Sequence, residues 1–350
     1  MRRHGWELVW IGLAFWMGML PAALLASEDQ STRYGAAPPQ WTTPSADSDK
    51  HRLAHDSPAV NSVFTLAAGV RRDRLQWTIA GNRNGTHPNI LSELEWPDVD
   101  SYQFQLTSRT ILAERLYLRA QLGYAWINDG WVRDSDYSGD NRSGEYSRSI
   151  SESDDDRLWD VLLGVGRPIS IGRHFMVAPL LGVSLHRQDL RIRNGSQVLT
   201  QPGGPPLGTL EGLNSTYQAE WFGAFLGCDL RYFFIPERAG FARMEGGLGL
   251  QWHWDARFEA EADWNLRSDF AHPKSFAQHA DGEGVSLDAE WVVWVTPRWA
   301  VSVSANYQKW ETDPGRQRYF LANGSTAVTR LNAVEWESGS CMLGIAYEFD

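Results

Sequence analysis

From residue 62 to the end of the chain, apolar and polar residues alternate with a period of two. Leu118, Ala120, Leu122, Tyr124 and Trp126 form one face, and Arg119, Gln121 and Gly123 the other. Residues 299–310 set Trp299, Val301, Val303, Ala305 and Tyr307 against Ser302, Ser304, Asn306 and Gln308; residues 102–110 set Tyr102, Phe104 and Leu106 against Gln103, Gln105 and Thr107. Such alternation marks a strand with two unlike faces. Ten segments carry it, at about 62–81, 93–110, 115–127, 156–167, 174–190, 215–234, 240–262, 285–296, 299–311 and 333–349. Many run well past the ~5–6 residues of an ordinary globular strand.

Long strands with one apolar and one polar face fit a closed barrel that has lipid outside and water inside. The predicted fold is therefore all-β, a ten-stranded antiparallel transmembrane β-barrel, and the even number suits a bacterial single-chain barrel. A soluble secreted β-sandwich or periplasmic barrel is the competing reading. The connections favour the membrane barrel: Pro168–Arg173, Ile235–Ala239 and Thr296–Pro297 are short, whereas residues 128–155, 191–214, 263–284 and 312–332 read as long polar outer loops. The chain ends in alternating aromatics, Tyr347 and Phe349, followed by Asp350.

Composition agrees. Of 350 residues, 43% are hydrophobic and 21% charged, so the chain is not disordered by composition. A mean hydropathy of -0.39 is compatible with a membrane protein only if every second residue faces water. A net charge of -11 argues against a nucleic-acid partner. Two cysteines, Cys228 and Cys341, read as isolated thiols. The 18 tryptophans need a place, and Trp126, Trp131, Trp159, Trp221, Trp291, Trp294, Trp299 and Trp310 are candidates for interfacial girdles. Trp252 and Trp254 would sit above the bilayer or face lipid. Arg119, Arg187, Arg191, Arg193 and Arg231 fit either lipid phosphates at the outer rim or a polar lumen.

The N-terminus reads as an address. Arg2 and Arg3 precede an apolar run from Trp6 to Leu25, and Ala22, Ala23 and Ala26 suit a cleavage site. The expected organisation is a signal peptide at 1–26, a disordered Pro/Ser-rich lead-in at 27–60 and the barrel at 61–350. An uncleaved anchor is the other reading of the first segment. Both send the chain out of the cytoplasm, and the barrel places it in the bacterial outer membrane.

Chemistry, if present, belongs on the outer loops. Asp134 and Asp136 point the same way from an extended segment, and two close carboxylates share a proton and hold a water. Solvated turn chemistry is the plain alternative, and a calcium loop using Asp134, Asp136, Asp140 and Asn141 a further one. The acidic run Ser151–Asp156 reads as a solvated loop. No metal is expected.

Residues 62–349 resemble the omptin family, ten-stranded outer-membrane endopeptidases. Asp134-Ser135-Asp136-Tyr137 looks like the family's carboxylate couple after the third strand. His272, beyond Trp264, looks like its dyad histidine. Asp73 and Asp269 look like the acidic positions that select basic side chains. The resemblance implies an aspartic endopeptidase acting on polypeptides with basic residues, in a barrel surrounded by outer-membrane lipid and activated structurally by lipopolysaccharide, with no other cofactor. Phe270 stands where the family's dyad aspartate is, and Asp269 is the nearest substitute. The competing reading is a non-catalytic adhesin or surface-binding barrel that uses the same loops. A narrow pore is the third, disfavoured because ten strands leave a lumen that side chains fill.

Overall fold

The computed structural model describes residues 60–202, 204–234 and 242–349. The segments at 1–26 and 27–59, and the turn Ile235–Ala239, lie outside the described residues. The strands are β1 (Val60–Ile79), β2 (Ser92–Leu112), β3 (Leu116–Gly139), β4 (Ser143–Glu152), β5 (Arg157–Gly166), β6 (Ile169–Ile171) and β7 (Phe175–Thr200). They continue with β8 (Gly208–Thr209), β9 (Asn214–Phe234), β10 (Arg243–Asp263), β11 (Phe276–Trp294), β12 (Trp299–Thr312), β13 (Gly315–Phe320) and β14 (Thr326–Phe349).

Each long strand pairs antiparallel with its neighbour, and β1 closes on β14 from Ser62↔Phe349 to Ile79↔Leu331. β4 and β5 both lie between β3 and β7, and β12 and β13 both lie between β11 and β14, so each pair is one interrupted strand. The ring therefore has ten members. β6 and β8 are short additions alongside β7.

Alternation decides which side each residue takes. Leu66, Val70, Tyr102, Phe104, Leu122, Tyr124, Leu343 and Ile345 all point outward and are exposed. A band of that size belongs in lipid. Aromatic pairs close its lower edge, with Phe64–Phe349 at 5.4 Å and Trp299–Tyr347 at 4.6 Å between ring centroids. Trp126, Trp159, Trp252 and Trp254 stand exposed along the upper edge. Above them outward ion pairs begin, among them Arg72–Asp100 and Lys309–Glu337. These mark the outer rim of the bilayer.

Two expectations need correction. Trp221, Trp294 and Trp310 are not girdle residues; they fall on the inward parity of their strands and are fully buried. The outer segments are also far less loop-like than expected. β3 continues to Gly139, β7 to Thr200, and β11 and β14 begin at Phe276 and Thr326. The reason is the interior of this upper part. Leu75, Trp77, Leu94, Trp96, Tyr217, Trp221, Phe258, Trp310 and Trp336 form one apolar cluster, so the wall keeps a core to pack on after it has left the membrane.

Below that cluster the lumen is ionic. Arg119 reaches Asp229 and Asp288 at 2.8 Å each, and Glu290 receives Arg231 at 2.7 Å and Arg109 at 2.6 Å. Arg119 and Arg231 thus serve the lumen, while Arg187 and Arg193 bind outward-facing Asp189 and Asp154. Buried charges of this kind compensate one another rather than add much stability. They leave little free space, and the cavity among Arg119, Asp229 and Asp288 measures about 50 Å³.

Candidate functional site

Asp134 and Asp136 lie on the upper part of β3, opposite Leu94 and Ser92 of β2 and Ser149 and Ser147 of β4. Leu94 and Val132 belong to the internal apolar cluster, so the couple shares its inward face and sits at the top of the barrel interior. Ser92 Oγ lies 3.4 Å from Asp134 Oδ1. Burial and the charge of Asp136 hold the Asp134 carboxyl well above the usual carboxylate range. Burial raises Asp136 as well, against the opposing pull of Ser92, Ser147 and Arg267. Two carboxyls in such surroundings favour a state with a shared proton.

Across the mouth lies the segment joining β10 to β11. Arg267 Nε and a terminal guanidinium nitrogen each sit 2.8 Å from an oxygen of Asp269. The same guanidinium lies 4.5 Å from the Phe270 ring centroid. Phe270 in turn stacks on Tyr319 at 5.5 Å and bridges to Leu321. Backbone bonds from Ala271 N to Phe320 O and from Ala322 N to Asp269 O fasten the segment to the β13–β14 turn. Arg267 is the cation whose charge acts on both aspartates, and Tyr146 and Tyr319 feel that same group of charges.

His272 is placed differently. Its Nδ1 lies 2.5 Å from Asp263 Oδ1. On β10, Ala260 and Ala262 face the core, so Asp263 takes the outward parity and ties His272 to the outer side of the wall. Sequence reasoning missed Asp263 as the partner. The usable signal was parity: Glu259, Glu261 and Asp263 share the outward row, and Lys274 joins Glu261 just beyond His272. Asp269, the expected substitute, is held by Arg267 instead. Asp73 is buried, with Arg71 Nε at 2.7 Å, a second Arg71 nitrogen at 2.9 Å and Trp336 Nε1 at 2.7 Å. Its carboxylate is matched inside the protein rather than offered to a ligand.

A second constellation also escaped the sequence. Asp160 Oδ1 lies 2.7 Å from His186 Nδ1, His186 Nε2 lies 3.1 Å from Ser184 Oγ, and Ser184 Oγ lies 2.9 Å from His253 Nε2. The order resembles a Ser–His–Asp triad, but all four side chains are buried, with the Trp310 ring against both His186 and His253 and the Trp336 ring against His186. It works as an internal hydrogen-bonded strut across the lumen. Among the described residues no group of His, Cys, Asp and Glu is arranged to hold a metal ion.

Fold and surface together define a bacterial outer-membrane β-barrel with a tall extracellular extension. The chain belongs to the Pom family, Protochlamydia outer membrane protein, whose family model matches residues 65–349. Among solved structures it is similar to the outer membrane protease OmpT from Escherichia coli, at 13% identity over 83% of this chain and 97% of that one, with a TM-score of 0.68. Much looser likenesses join it to a Pseudomonas aeruginosa FadL homologue (9% identity, 82% of this chain and 90% of that one, TM-score 0.29) and to Ail of Yersinia pestis (9% identity, 82% and 99%, TM-score 0.25). No curated protein matches the sequence. At these identities the likeness to OmpT is one of fold.

Proposed function

We propose that this protein is a non-catalytic surface-binding barrel whose extracellular extension presents a fixed set of side chains to the outside. The observation that carries this reading is the group opposite Asp134 and Asp136. Arg267, clamped by Asp269, is the cation whose charge reaches both aspartates, whereas His272 pairs with Asp263 on the outward parity of β10. A water held by the couple would face a guanidinium, which cannot accept a proton.

The second reading is an omptin-like endopeptidase. The raised carboxyls of Asp134 and Asp136 favour it, because a couple that shares a proton can hold a water. One assay decides. The barrel is refolded with lipopolysaccharide and given a dibasic fluorogenic peptide between about pH 5 and 8, the range in which an imidazole base titrates. Asp134→Ala and His272→Ala variants are run beside it. The surface-binding reading predicts no cleavage by the parent. Cleavage lost in both variants would establish the endopeptidase instead.

A further inference from the structure

One row of outward side chains crosses the upper wall of the barrel. It runs Arg187, Glu220, Glu259, His279, Arg316, Arg330, each directly opposite the next on the neighbouring strand. The acidic members have basic neighbours, and His279 stands 3.6 Å from Glu259. At the other end the pattern breaks. Arg316 of β13 faces Arg330 of β14, and Arg318 follows two residues along the same face as Arg316. Arg316 and Arg318 are exposed. Among the described residues, no carboxylate lies within ion-pair distance of any of the three.

Like charges directly opposite each other in an antiparallel pair destabilise it. Two further features show that the arrangement is built. Gly85 has a φ of +79°, and a Cβ there would lie 2.8 Å from a guanidinium nitrogen of Arg330, so the β1–β2 turn leaves space for that side chain. Arg330 Nε is buried and has no hydrogen-bond partner among the described residues. Beside the arginines runs a groove of about 490 Å³, which Arg316, Arg318, Lys274 and Phe320 line on one side and Glu220, Glu259 and Glu261 on the other. Lys274 is neutralised by Glu261. The uncompensated positive charge is thus concentrated on β13 and β14.

Height above the membrane selects the occupant. Lys309–Glu337 marks the outer rim, and at about 3.3 Å per residue the run from Glu337 to Arg330 places the arginines on the order of 20 Å further along the strand. Between them and the bilayer lies an outward row of Glu283, Glu311 and Glu335, each opposite the next, which repels anionic headgroups. A ligand must therefore come from the aqueous side and bring several anionic groups. The geometry points to Arg316, Arg318 and Arg330 as a docking site for a sulfated or phosphorylated polysaccharide. This site lies on the outer wall, apart from the aspartate couple at the mouth.

The test uses the folded full-length barrel and labelled dextran sulfate as the probe, with neutral dextran beside it. Heat-modifiable gel migration checks that each variant is folded. The site predicts binding of dextran sulfate but not of dextran. It also predicts a loss of roughly tenfold or more in Arg316→Ala/Arg318→Ala and in Arg330→Gln, the scale of lost charge-assisted hydrogen bonds. Arg193→Ala removes an arginine that Asp154 already neutralises and leaves binding unchanged. Equal affinity in parent and double variant, or an equal loss in Arg193→Ala, would overturn the assignment. Nanodiscs of phosphatidylcholine, with and without phosphatidylglycerol, separate glycan from lipid. Unchanged binding agrees with a site clear of the headgroups, and binding abolished by the anionic lipid rules the glycan out.

Discussion

His272 Nδ1 stands 2.5 Å from Oδ1 of Asp263, the residue immediately before Trp264, and not from a carboxylate in its own turn. The contact closes the segment between β10 and β11 from outside, while Ser275 Oγ receives the Trp264 N–H at 2.9 Å beneath it. Both members of the pair are partly exposed, so solvent screens the attraction. His272→Ala and Asp263→Ala should each cost no more than about 1 kcal/mol of stability, measured by urea unfolding followed by circular dichroism. A larger loss would mean that the pair organises more of the mouth than its exposure indicates.

The aspartate couple makes the protein sensitive to pH in a definite direction. Asp134 holds its proton more tightly folded than unfolded, because burial and Asp136 disfavour its charge. Stability from this source is complete below the ordinary carboxylate range and falls as pH rises towards the folded-state value. Asp134→Asn removes that dependence. The variant should match the parent at acid pH and melt higher at neutral pH, by about 2–4 °C for each ~1 kcal/mol of relieved charge. Thermal melts at the two pH values check it; a lower neutral-pH melting point in the variant would show that the charged couple is stabilised by its surroundings.

Trp336 fills the centre of the upper core. It is fully buried, lies 6.0 Å from Trp310 and 6.2 Å from Trp221 between ring centroids, and donates to Asp73 at 2.7 Å. Trp336→Ala should cost roughly 3–5 kcal/mol through the cavity it leaves, with a further loss because Asp73 forfeits a donor. Trp336→Phe keeps most of the packing and should fall in between. Urea midpoints order the three proteins.

The ionic lumen implies a barrel that does not conduct. Arg119 spans from β3 to Asp229 on β9 and Asp288 on β11, and Glu290 collects arginines from β2 and β9. Reconstituted in a planar bilayer, the parent should give no steady current steps. Reproducible unitary conductance would show that these bridges open.

The barrel itself was legible in the sequence because lipid and water impose opposite demands on successive residues, as along Leu118–Trp126. Polarity at the top of the wall was misleading. Residues 128–155 carry many charges and read as loop, yet Val132 and its neighbours pack on the inner cluster and hold the extension as strand. The side that each tryptophan takes was hidden for a related reason. An alternating pattern shows that Trp221 and Trp310 lie on a face, but when both faces carry aromatics it does not say which face is inside. At the mouth, Asp134 and Asp136 were legible from their spacing in an extended segment. Their neighbour Arg267 and the partnership of His272 with Asp263 were not, because they depend on how a turn between two strands folds back.

The proposed function depends on Arg267, and not His272, facing the aspartate couple. Pulsed EPR distances test this placement, in a background in which Cys228 and Cys341 are replaced by serine. One sample carries spin labels at positions 136 and 267, the other at 136 and 272. The shorter mean distance is expected for 136 and 267. A shorter distance between 136 and 272 would put the imidazole at the couple and overturn the non-catalytic reading.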